Sequence, residues 1–541
     1  MNNLIKKNFF DNNEKLIIIQ FIIIVSGISL RLFHYIYNRS LWLDECYLTS
    51  GLLHMNYMDL ATKVLDYQQK APIGFLWLVK LSMNLFGNQE MVLRMIPLIA
   101  GIISLFLYSS ICSYFLKPWA HIIALSIFSF APALIYHSVE IKQYSMECLA
   151  TVAALYLFIA FKDQPKWKAK IYWGIFGGLL IWFSYSVIFV LAGIAGGMSI
   201  HYLLKKNWKT FSTNLLPFLM WLASFLINFL LFTHKHADTD WVVYFFKTYD
   251  NFMPFPPHSL HELTWFPRNF MSMLDYPLGL RWDLKELTSN FMASILAVPI
   301  LPIILFFTGI YTLFVHHRIN FYILILPVLL MLVASGLNLY PLVERFWVFI
   351  APIFILFIAM GFEHYQYKLK SDKILWAIFS LLIAGPIIQS VNFLIYPEKF
   401  YKHKKSFERE SLLYINNNFQ PGDAVYNYWN NSPGYQVYKN LQNFKYHAIE
   451  GHDFRKESVS LNDYNQHLEK DFKHFSKHKR VWLVFNNLYL TDIGDKADDP
   501  QWYYKNQLSP NNNLLKEMNK FGHPLKRMIT KDVTIYLFGL N

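Results

Sequence analysis

The sequence has little charge for its length. Only 16% of its 541 residues are Asp, Glu, Lys or Arg, whereas 54% are hydrophobic and 18% are aromatic. A soluble chain of this size would carry more charge, because charged side chains cover the surface of globular proteins. Repeated apolar runs of about 20 residues, the length of a helix that crosses a bilayer, instead predict a polytopic α-helical membrane protein.

Cysteine is also scarce and is confined to the N-terminal part of the chain. The three cysteines are Cys46, Cys112 and Cys148, and no CxxC spacing occurs. This pattern disfavours a metal site built on sulfur, and it leaves the chain beyond residue 148 without a disulfide. The histidines have no metal-ligand frame. We therefore expect no metal-binding residues and no required cofactor, with a divalent cation as the one case left open.

Basic residues are in excess, with a formal net charge of +13, but no nucleic-acid motif accompanies them. In a membrane protein such an excess is typical of cytoplasmic loops and of contact with anionic lipid head groups. Eleven spans are predicted, and the basic clusters between them all fall on one face, which is then cytoplasmic. The predicted spans are about 16–37, 91–115, 119–137, 144–161, 171–185, 187–204, 212–232, 291–315, 320–338, 345–363 and 374–396.

The outer face then receives two long segments, two short turns and the C-terminal region: 38–90, 233–290, 138–143, 339–344 and 397–541. The segment 233–290 is rich in aromatic residues and proline, which suits a segment that lies at the lipid interface or covers a cleft. Near residue 400 the composition becomes polar, and short β-rich runs such as "RVWLVFNN" alternate with helical stretches. We predict a transmembrane catalytic domain over 1–399 and an extracytoplasmic α/β domain over 400–541.

Charged side chains recur at the outer ends of the predicted spans, where charge is costly and requires a partner or a function. Six of the seven positions contribute a cation, which suits an anionic ligand such as a phosphate at membrane level. These residues are Arg31, the pair Asp44 and Glu45, Lys70, Lys80, Arg94, the pair Glu140 and Lys142, and the pair Glu344 and Arg345.

The acidic pair also has a structural interpretation. Asp44 would be the N-cap of a short helix that starts at Glu45, and Glu45 would pair with Arg94 or Arg31. Adjacent residues on a helix point about 100° apart, so the two carboxylates are expected to do different jobs. One would act on the substrate while the other holds the local structure.

The cations have structural alternatives as well. Lys70 and Lys80 would extend along apolar surface toward lipid head groups. Arg94 would form a structural ion pair, and Arg345 would pair with its neighbour Glu344. Residues 136–146 would serve as a plain interfacial anchor. The residues alone do not decide between these interpretations and a ligand site.

The order of five motifs resembles the GT-C superfamily of membrane glycosyltransferases, and most closely its family 39-like bacterial members. The motifs are "SLWLDE" after the first span, "KAPIGFLW", an arginine at the start of the second span, "EIKQYSM" before the fourth, and "YPLVERFWVFIAPIF". Related enzymes are the dolichyl-phosphate-mannose protein mannosyltransferases and the lipid A aminoarabinose transferase. The resemblance spans about residues 16–400 and implies a GT-C fold of about eleven transmembrane helices.

The resemblance further implies an enzyme of the bacterial inner (plasma) membrane with its active site and C-terminal domain on the periplasmic side. Its donor would be a sugar on a polyprenyl phosphate such as undecaprenyl phosphate, and its acceptor a lipid, glycan or protein. Asp44 would be the catalytic carboxylate, with Glu45 beside it, and Lys70 would contact the donor phosphate. Here Ala71 separates Lys70 from Pro72, a small departure from the pattern of the aminoarabinose transferases.

Aromatic residues beside these motifs are expected to line the substrate pocket: Trp42, Tyr144 and Tyr340. The phosphate leaves as a stable anion, so the reaction needs cations rather than an acid, and Lys70, Arg94, Lys142 and Arg345 are the candidates that bind the donor phosphate. The acceptor hydroxyl needs a general base, which we assign to Asp44. A single displacement would invert the anomeric centre.

Two other classes of protein fit parts of the pattern. A transporter or flippase of a lipid-linked saccharide would use the acidic pair as a proton site, but such proteins commonly contain internal repeats, and none is visible in this sequence. A non-catalytic envelope-assembly subunit would bind glycan through its outer domain. Release of polyprenyl phosphate in step with a new glycoside distinguishes the enzyme from both.

Overall fold

The computed structural model of the chain describes residues 13–234, 240–282, 299–369, 371–400, 406–487, 500–504 and 509–541. Between residues 13 and 234 all regular elements are helices. The α-helices are α1 (Asn13–Tyr37), α2 (Leu43–His54), α3 (Tyr57–Thr62), α4 (Ile73–Phe86), α5 (Glu90–Phe115), α6 (Pro118–Phe130), α7 (Pro132–His137), α8 (Tyr144–Phe161), α9 (Trp167–Phe183), α10 (Val187–Leu204) and α11 (Trp208–Asn228).

The described segments between residues 240 and 400 are helical as well. They contain α12 (Asp240–Thr248), α13 (Leu260–Asp275), α14 (Ile300–His316), α15 (Arg318–Gly336), α16 (Ala351–Lys368) and α17 (Asp372–Ile395). Part of the predicted outer segment 233–290 and the start of the predicted span 291–315 lie outside the described residues.

Within the described residues, seven helices are long and apolar enough to cross a membrane: α1, α5, α8, α10, α11, α15 and α17. Three shorter apolar helices, α4, α6 and α14, accompany them. Helices suit these sequences because each satisfies its own backbone hydrogen bonds, which lipid cannot do. The predicted polytopic helical class is confirmed, while the count of eleven spans stays a prediction.

Two predicted spans are interrupted. The span predicted over 119–137 ends as a helix at Phe130 and restarts at Pro132, because a residue before proline is displaced from the helical region. The span predicted over 345–363 starts with a 3₁₀ turn, Glu344–Trp347, and becomes α-helical only at Ala351. Both breaks place short irregular segments at one end of the bundle.

Two glycines let neighbouring membrane helices approach closely. A Cβ on Gly309 of α14 would collide with the Phe357 carbonyl oxygen, and one on Gly361 of α16 would collide with that of Leu305. Small residues of this kind are how membrane helices pack, since lipid provides no hydrophobic force between them. The contact fixes α14 against α16.

The C-terminal region forms a five-stranded sheet with helices. Its helices are α18 (Glu408–Asn418), α19 (Ser432–Leu441), α20 (Leu461–Phe472), α21 (Gln501–Tyr504) and α22 (Pro510–Met518), and its strands are β1 (Ala424–Asn427), β2 (Ile449–Glu450), β3 (Arg480–Asn486), β4 (Gly522–Ile529) and β5 (Val533–Leu540). The strand order is β2-β1-β3-β5-β4. β1 runs parallel to β2 and β3, whereas β5 is antiparallel to β3 and β4.

This α/β unit packs on the segment that connects α1 to α2. The Tyr438 hydroxyl accepts the backbone N–H of Leu41 at 2.8 Å and lies 3.0 Å from the Ser40 hydroxyl. The same hydroxyl donates to Glu90 at 2.5 Å, and Arg409 pairs with the other oxygen of that carboxylate. One buried polar cluster therefore connects the α/β unit to the acidic loop.

Candidate active site

The acidic pair lies in the first turn of α2, which begins after Trp42 in an extended conformation. The carbonyl oxygen of Trp42 accepts the N–H groups of Glu45 and Cys46 at 2.9 and 3.0 Å, and the Glu45 carboxylate accepts the Trp42 N–H at 3.2 Å. Asp44 is thus the second residue of the helix, so the N-cap alternative for Asp44 is wrong. Acidic residues in this turn complement the positive end of the helix dipole.

Glu45 is completely buried and accepts five hydrogen bonds. Arg94 donates to both of its oxygens at 3.0 and 2.9 Å, Arg39 donates at 2.7 Å, and the backbone N–H groups of Ile141 and Trp42 complete the set at 3.0 and 3.2 Å. Burial alone would raise the pKa of Glu45, but the charges of Arg39 and Arg94 outweigh it and hold the pKa below its ordinary value. Glu45 ties α2 to α5 and to the turn before α8.

Two arginines that were candidate partners of Glu45 behave differently. Arg94 pairs with it and also donates to Asn38 and to the Arg39 carbonyl oxygen. Arg31 is buried elsewhere and donates to the carbonyl oxygens of Gly27 and Ser129, so the pairing of Glu45 with Arg31 is wrong. The second arginine that pairs with Glu45 is Arg39, a residue that the sequence analysis did not single out.

Asp44 contacts a different partner. Arg345 donates to its carboxylate at 2.5 Å across 301 residues of sequence. The predicted pairing of Arg345 with Glu344 is therefore wrong. The guanidinium also lies over the rings of Tyr144 and Phe346, at 5.9 and 5.7 Å from the centroids. Both charged side chains keep some exposure, 14% for Asp44 and 25% for Arg345, so this pair is reachable where Glu45 is not.

Lys142 and Lys70 lie on two segments that meet beside this pair. The Lys142 ammonium donates to Gln69 at 2.5 Å, and the Gln143 amide donates to the Lys70 carbonyl oxygen at 3.4 Å. Burial lowers the pKa of Lys142, and the positive charge of Arg345 lowers it further, while Asp44 opposes the shift. Burial also lowers the pKa of the half-buried Lys70.

The predicted aromatic residues are held in different ways. The Trp42 indole donates to Glu140 at 2.9 Å, and the other Glu140 oxygen lies 2.6 Å from the His137 ring. The second nitrogen of His137 contacts the Tyr276 hydroxyl. This chain of contacts was not predicted, because Tyr276 lies 139 residues from His137 in the sequence.

Tyr144 and Tyr340 lie around the segment that carries Arg345. Tyr144 is buried at the start of α8 and packs edge-on against Phe346 at 6.1 Å. The Tyr340 hydroxyl donates to the Phe346 carbonyl oxygen at 3.0 Å. Both phenols thus help to hold the turn before α16.

The structure therefore brings together some of the predicted residues and separates others. Asp44, Arg345, Lys142 and Tyr144 form one group, with the Lys70 segment beside it. Arg94 lies behind this group on Glu45. Lys80 is not part of it either, because its ammonium donates to the Leu52 carbonyl oxygen at 2.7 Å. No cluster of three or more candidate metal ligands occurs within the described part of the chain.

These features define an integral membrane protein with a GT-C fold: a polytopic helical bundle, an acidic first loop beside cations, and an appended α/β unit. Residues 70–234 match the family described as dolichyl-phosphate-mannose-protein mannosyltransferase. The match and the fold confirm the predicted resemblance to the GT-C superfamily, and they support a glycosyltransferase role.

Two crystal structures of ArnT from Cupriavidus metallidurans are similar to this chain, each at 10% sequence identity over 95% of this chain and 97% of that chain. The structure bound to undecaprenyl phosphate gives a TM-score of 0.52, and the apo structure gives 0.49. At this identity, the first likeness establishes the fold that the two proteins share. None of the curated proteins matches the chain.

Proposed function

We propose that this protein is an inverting glycosyltransferase that moves a sugar from a polyprenyl-phosphate donor to an acceptor hydroxyl at the outer face of a bacterial inner membrane. The observation that carries the proposal is the partly exposed Asp44 carboxylate held against Arg345, with Lys142 nearby. The bound undecaprenyl phosphate of the similar ArnT structure supports a donor of this class.

Asp44 acts as the general base in this proposal. The acceptor oxygen bonds to the anomeric carbon while its proton passes to the Asp44 carboxylate, and the bond from that carbon to the phosphate oxygen breaks. Polyprenyl phosphate leaves with the electron pair of that bond. Since a proton-accepting group must be reachable by the acceptor, the buried Glu45, predicted as catalytic with Asp44, is a positioning residue instead.

The cations stabilise the charge that grows on the leaving phosphate. Arg345 contacts Asp44, Lys142 interacts with the charge of Asp44, and the Lys70 carbonyl oxygen accepts from Gln143, the residue after Lys142. A phosphate bound by these three cations would contact several positive charges at once. The phosphate would also compete with Asp44 for Arg345, which would make the carboxylate available to the acceptor. Arg94 was predicted to bind the phosphate too, but four of its N–H contacts are with Glu45, Asn38 and Arg39, so we assign it to positioning.

The test compares the amount of undecaprenyl phosphate released with the amount of glycoside formed. Purified protein in lipid nanodiscs is incubated with a panel of labelled undecaprenyl-phosphoryl sugars and a membrane extract that contains acceptors. We expect release of undecaprenyl phosphate in equal amount to a new glycoside. Movement of intact donor across vesicles without cleavage would identify a flippase. Glycan binding with neither cleavage nor movement would identify an assembly subunit.

A further inference from the structure

Gln69 joins the two segments that carry Lys70 and Lys142. Its side-chain oxygen accepts a hydrogen bond from the Lys142 ammonium at 2.5 Å, and its side-chain nitrogen donates to the Tyr67 carbonyl oxygen at 3.5 Å. Because an ammonium only donates, these two contacts agree on which way the amide points. One residue further along each segment, the Gln143 amide donates to the Lys70 carbonyl oxygen at 3.4 Å. The two segments are therefore connected at two consecutive positions.

The turn that carries Lys142 is held at the candidate active site by contacts on both sides of this residue. The backbone N–H of Ile141 donates to Glu45 at 3.0 Å. The ring of Tyr144 lies under the Arg345 guanidinium, with the centroid 5.9 Å from its central carbon. Only 5% of Lys142 itself is exposed. Lys142 thus lies between a contact to the acidic loop and a contact to the arginine that pairs with Asp44.

The backbone just before Gln69 is unusual. Tyr67 and Gln68 have φ of 51° and 50°, the left-handed region that favours glycine. Other residues stay there when surrounding contacts determine the conformation, which happens most often at functional sites. Here the Tyr67 ring stacks on the ring of Tyr47 in α2, with the centroids 4.3 Å apart. The turn that presents Gln69 is therefore fixed against α2.

The partner of the Lys142 ammonium in this contact carries no charge. A carboxylate at the same place would accept the same hydrogen bond, but it would also offset the positive charge that attracts a phosphate. An amide oxygen accepts without doing so. The charged groups that act on Lys142 are Asp44 and Glu45 of α2, Glu140 of its own turn and Arg345 of the 3₁₀ turn.

We propose that Gln69 is a positioning residue for the donor phosphate: its uncharged oxygen fixes the Lys142 ammonium and leaves the positive charge of that lysine to the ligand. This inference rests on the proposed function. An ammonium has three N–H donors, so in the bound state Lys142 keeps its bond to Gln69 and adds one to a phosphate oxygen.

The first variant changes the charge of residue 69 and keeps its shape. Dissociation constants for undecaprenyl phosphate are measured with the protein in lipid nanodiscs, over a range of pH. At neutral pH, Gln69→Glu should weaken binding roughly 10- to 100-fold, the contribution of one hydrogen bond to a charged group. Its melting temperature should not fall, because the new carboxylate pairs with Lys142.

The second variant, Gln69→Met, removes the acceptor and keeps the volume. It should also weaken binding, but its pH dependence should change in the opposite direction. Binding falls as pH rises through the pKa of Lys142, which burial lowers. A carboxylate at residue 69 favours the charged ammonium and moves this fall to higher pH, whereas loss of the acceptor moves it to lower pH. The phosphate itself titrates at about pH 6, outside this range.

Gln420→Glu is the matched control. The Gln420 side-chain oxygen accepts a hydrogen bond from Arg480 at 2.7 Å within the α/β unit. The same substitution is thus made beside a cation that has no part in the proposed site. It should leave the dissociation constant and its pH dependence unchanged.

Failure of the inference would appear in the variants. Wild-type affinity in Gln69→Glu would show that residue 69 does not control the charge available to the phosphate. Weaker binding in both variants, with the alkaline fall unmoved, would show that Gln69 has only a structural role. Failure of the proposed function would appear in the wild-type protein instead: if undecaprenol binds as tightly as undecaprenyl phosphate, the protein has no site for the donor phosphate.

Discussion

At the scale of single residues, two adjacent acids have opposite environments. Glu45 is enclosed by two arginines and two backbone N–H groups, whereas Asp44 is partly exposed and accepts a hydrogen bond from Arg345 at 2.5 Å. The environment of Glu45 is suited to holding a loop, because hydrogen bonds occupy both oxygens of its carboxylate. The environment of Asp44 is suited to a change of partner, because the Arg345 guanidinium can hydrogen-bond to a phosphate instead of to Asp44.

Replacement of Asp44 tests the proposed base. Asp44→Asn should reduce turnover roughly 10²- to 10⁴-fold, the usual contribution of a general base, without lowering the melting temperature by more than a few degrees. Asp66→Asn is the control, since Asp66 accepts the Ser50 hydroxyl in the same segment between α1 and α5. Turnover of Asp44→Asn within a few fold of wild type would contradict the mechanism.

Replacement of Glu45 should act on stability instead. Glu45→Gln leaves two arginines without a charged partner, and we expect a loss on the order of 3 kcal/mol in the free energy of unfolding at neutral pH. Because the pKa of Glu45 is lowered in the folded protein, its contribution is present above about pH 4.3 and disappears as pH falls through the lowered value. Thermal unfolding at several pH values measures this; a difference from wild type that grows in acid would refute it.

Lys142 gives a prediction in the alkaline range. Burial lowers its pKa, so its charge, and with it the contact to the donor phosphate, should be lost as pH rises at a value below the ordinary 10.4 or so of lysine. Affinity for undecaprenyl phosphate should therefore fall at lower pH than an ordinary lysine would predict. Lys142→Arg should remove this fall, since arginine stays protonated. An unchanged pH profile in Lys142→Arg would rule out Lys142 as the titrating group.

At the scale of secondary-structure elements, irregular segments between the helices build the site. The first turn of α2 supplies Asp44, the turn before α8 supplies Lys142, and the 3₁₀ turn before α16 supplies Arg345. The segment after α13 contacts this group through Tyr276 and His137. An element of the predicted outer segment 233–290 is thus attached directly to the turn beside the acidic loop.

The predicted effect of Tyr276→Phe is local. Loss of one hydroxyl should cost about 1 kcal/mol and should increase hydrogen exchange in the segment after α13, with little change elsewhere. Tyr244→Phe on α12, where the side chain is 52% exposed, is the matched control. Exchange that is unchanged after residue 275 in Tyr276→Phe would show that the contact does not hold the segment.

Sequence patterns predicted the helices well and the contacts poorly, for physical reasons. Span positions follow from apolar runs because a bilayer imposes length and composition on every crossing helix. The difference between Asp44 and Glu45 depends on Arg345, Arg94 and Ile141, which are distant in sequence. Local spacing therefore predicted an acidic site and named Arg94 correctly as one of two possible partners of Glu45, whereas the alternatives Arg31 for Glu45 and Glu344 for Arg345 are wrong. The roles proposed for Lys70 and Tyr340 stay predictions.

At the scale of the whole molecule, the α/β unit braces the acidic loop. Tyr438 and Arg409 both contact Glu90, and Tyr438 holds the backbone N–H of Leu41, three residues before Asp44. Arg409 also donates to the Asn38 carbonyl oxygen at 2.8 Å. Since these groups are buried, their loss leaves unpaired polar atoms on the loop.

We predict that Tyr438→Phe lowers kcat several-fold with little change in the KM for the donor. The Tyr438 hydroxyl contacts Leu41, Ser40 and Glu90 rather than the candidate phosphate ligands. Its loss should therefore disturb the position of Asp44 rather than donor binding. The control is Tyr446→Phe, whose hydroxyl donates to Leu412 within the α/β unit at 3.2 Å. Comparable losses of kcat in both variants would point to the general stability of that unit.

The bond between Tyr438 and Ser40 joins residues 398 positions apart. During synthesis the acidic loop leaves the ribosome early, and the side chain that braces it follows only after the membrane helices of the bundle have been made. A chain that is interrupted before that point would lack this contact, so polar groups of the loop would be left unpaired. If the proposed function holds, catalysis therefore requires the C-terminal α/β unit, and an unfinished copy in the membrane would consume little of the lipid-linked donor.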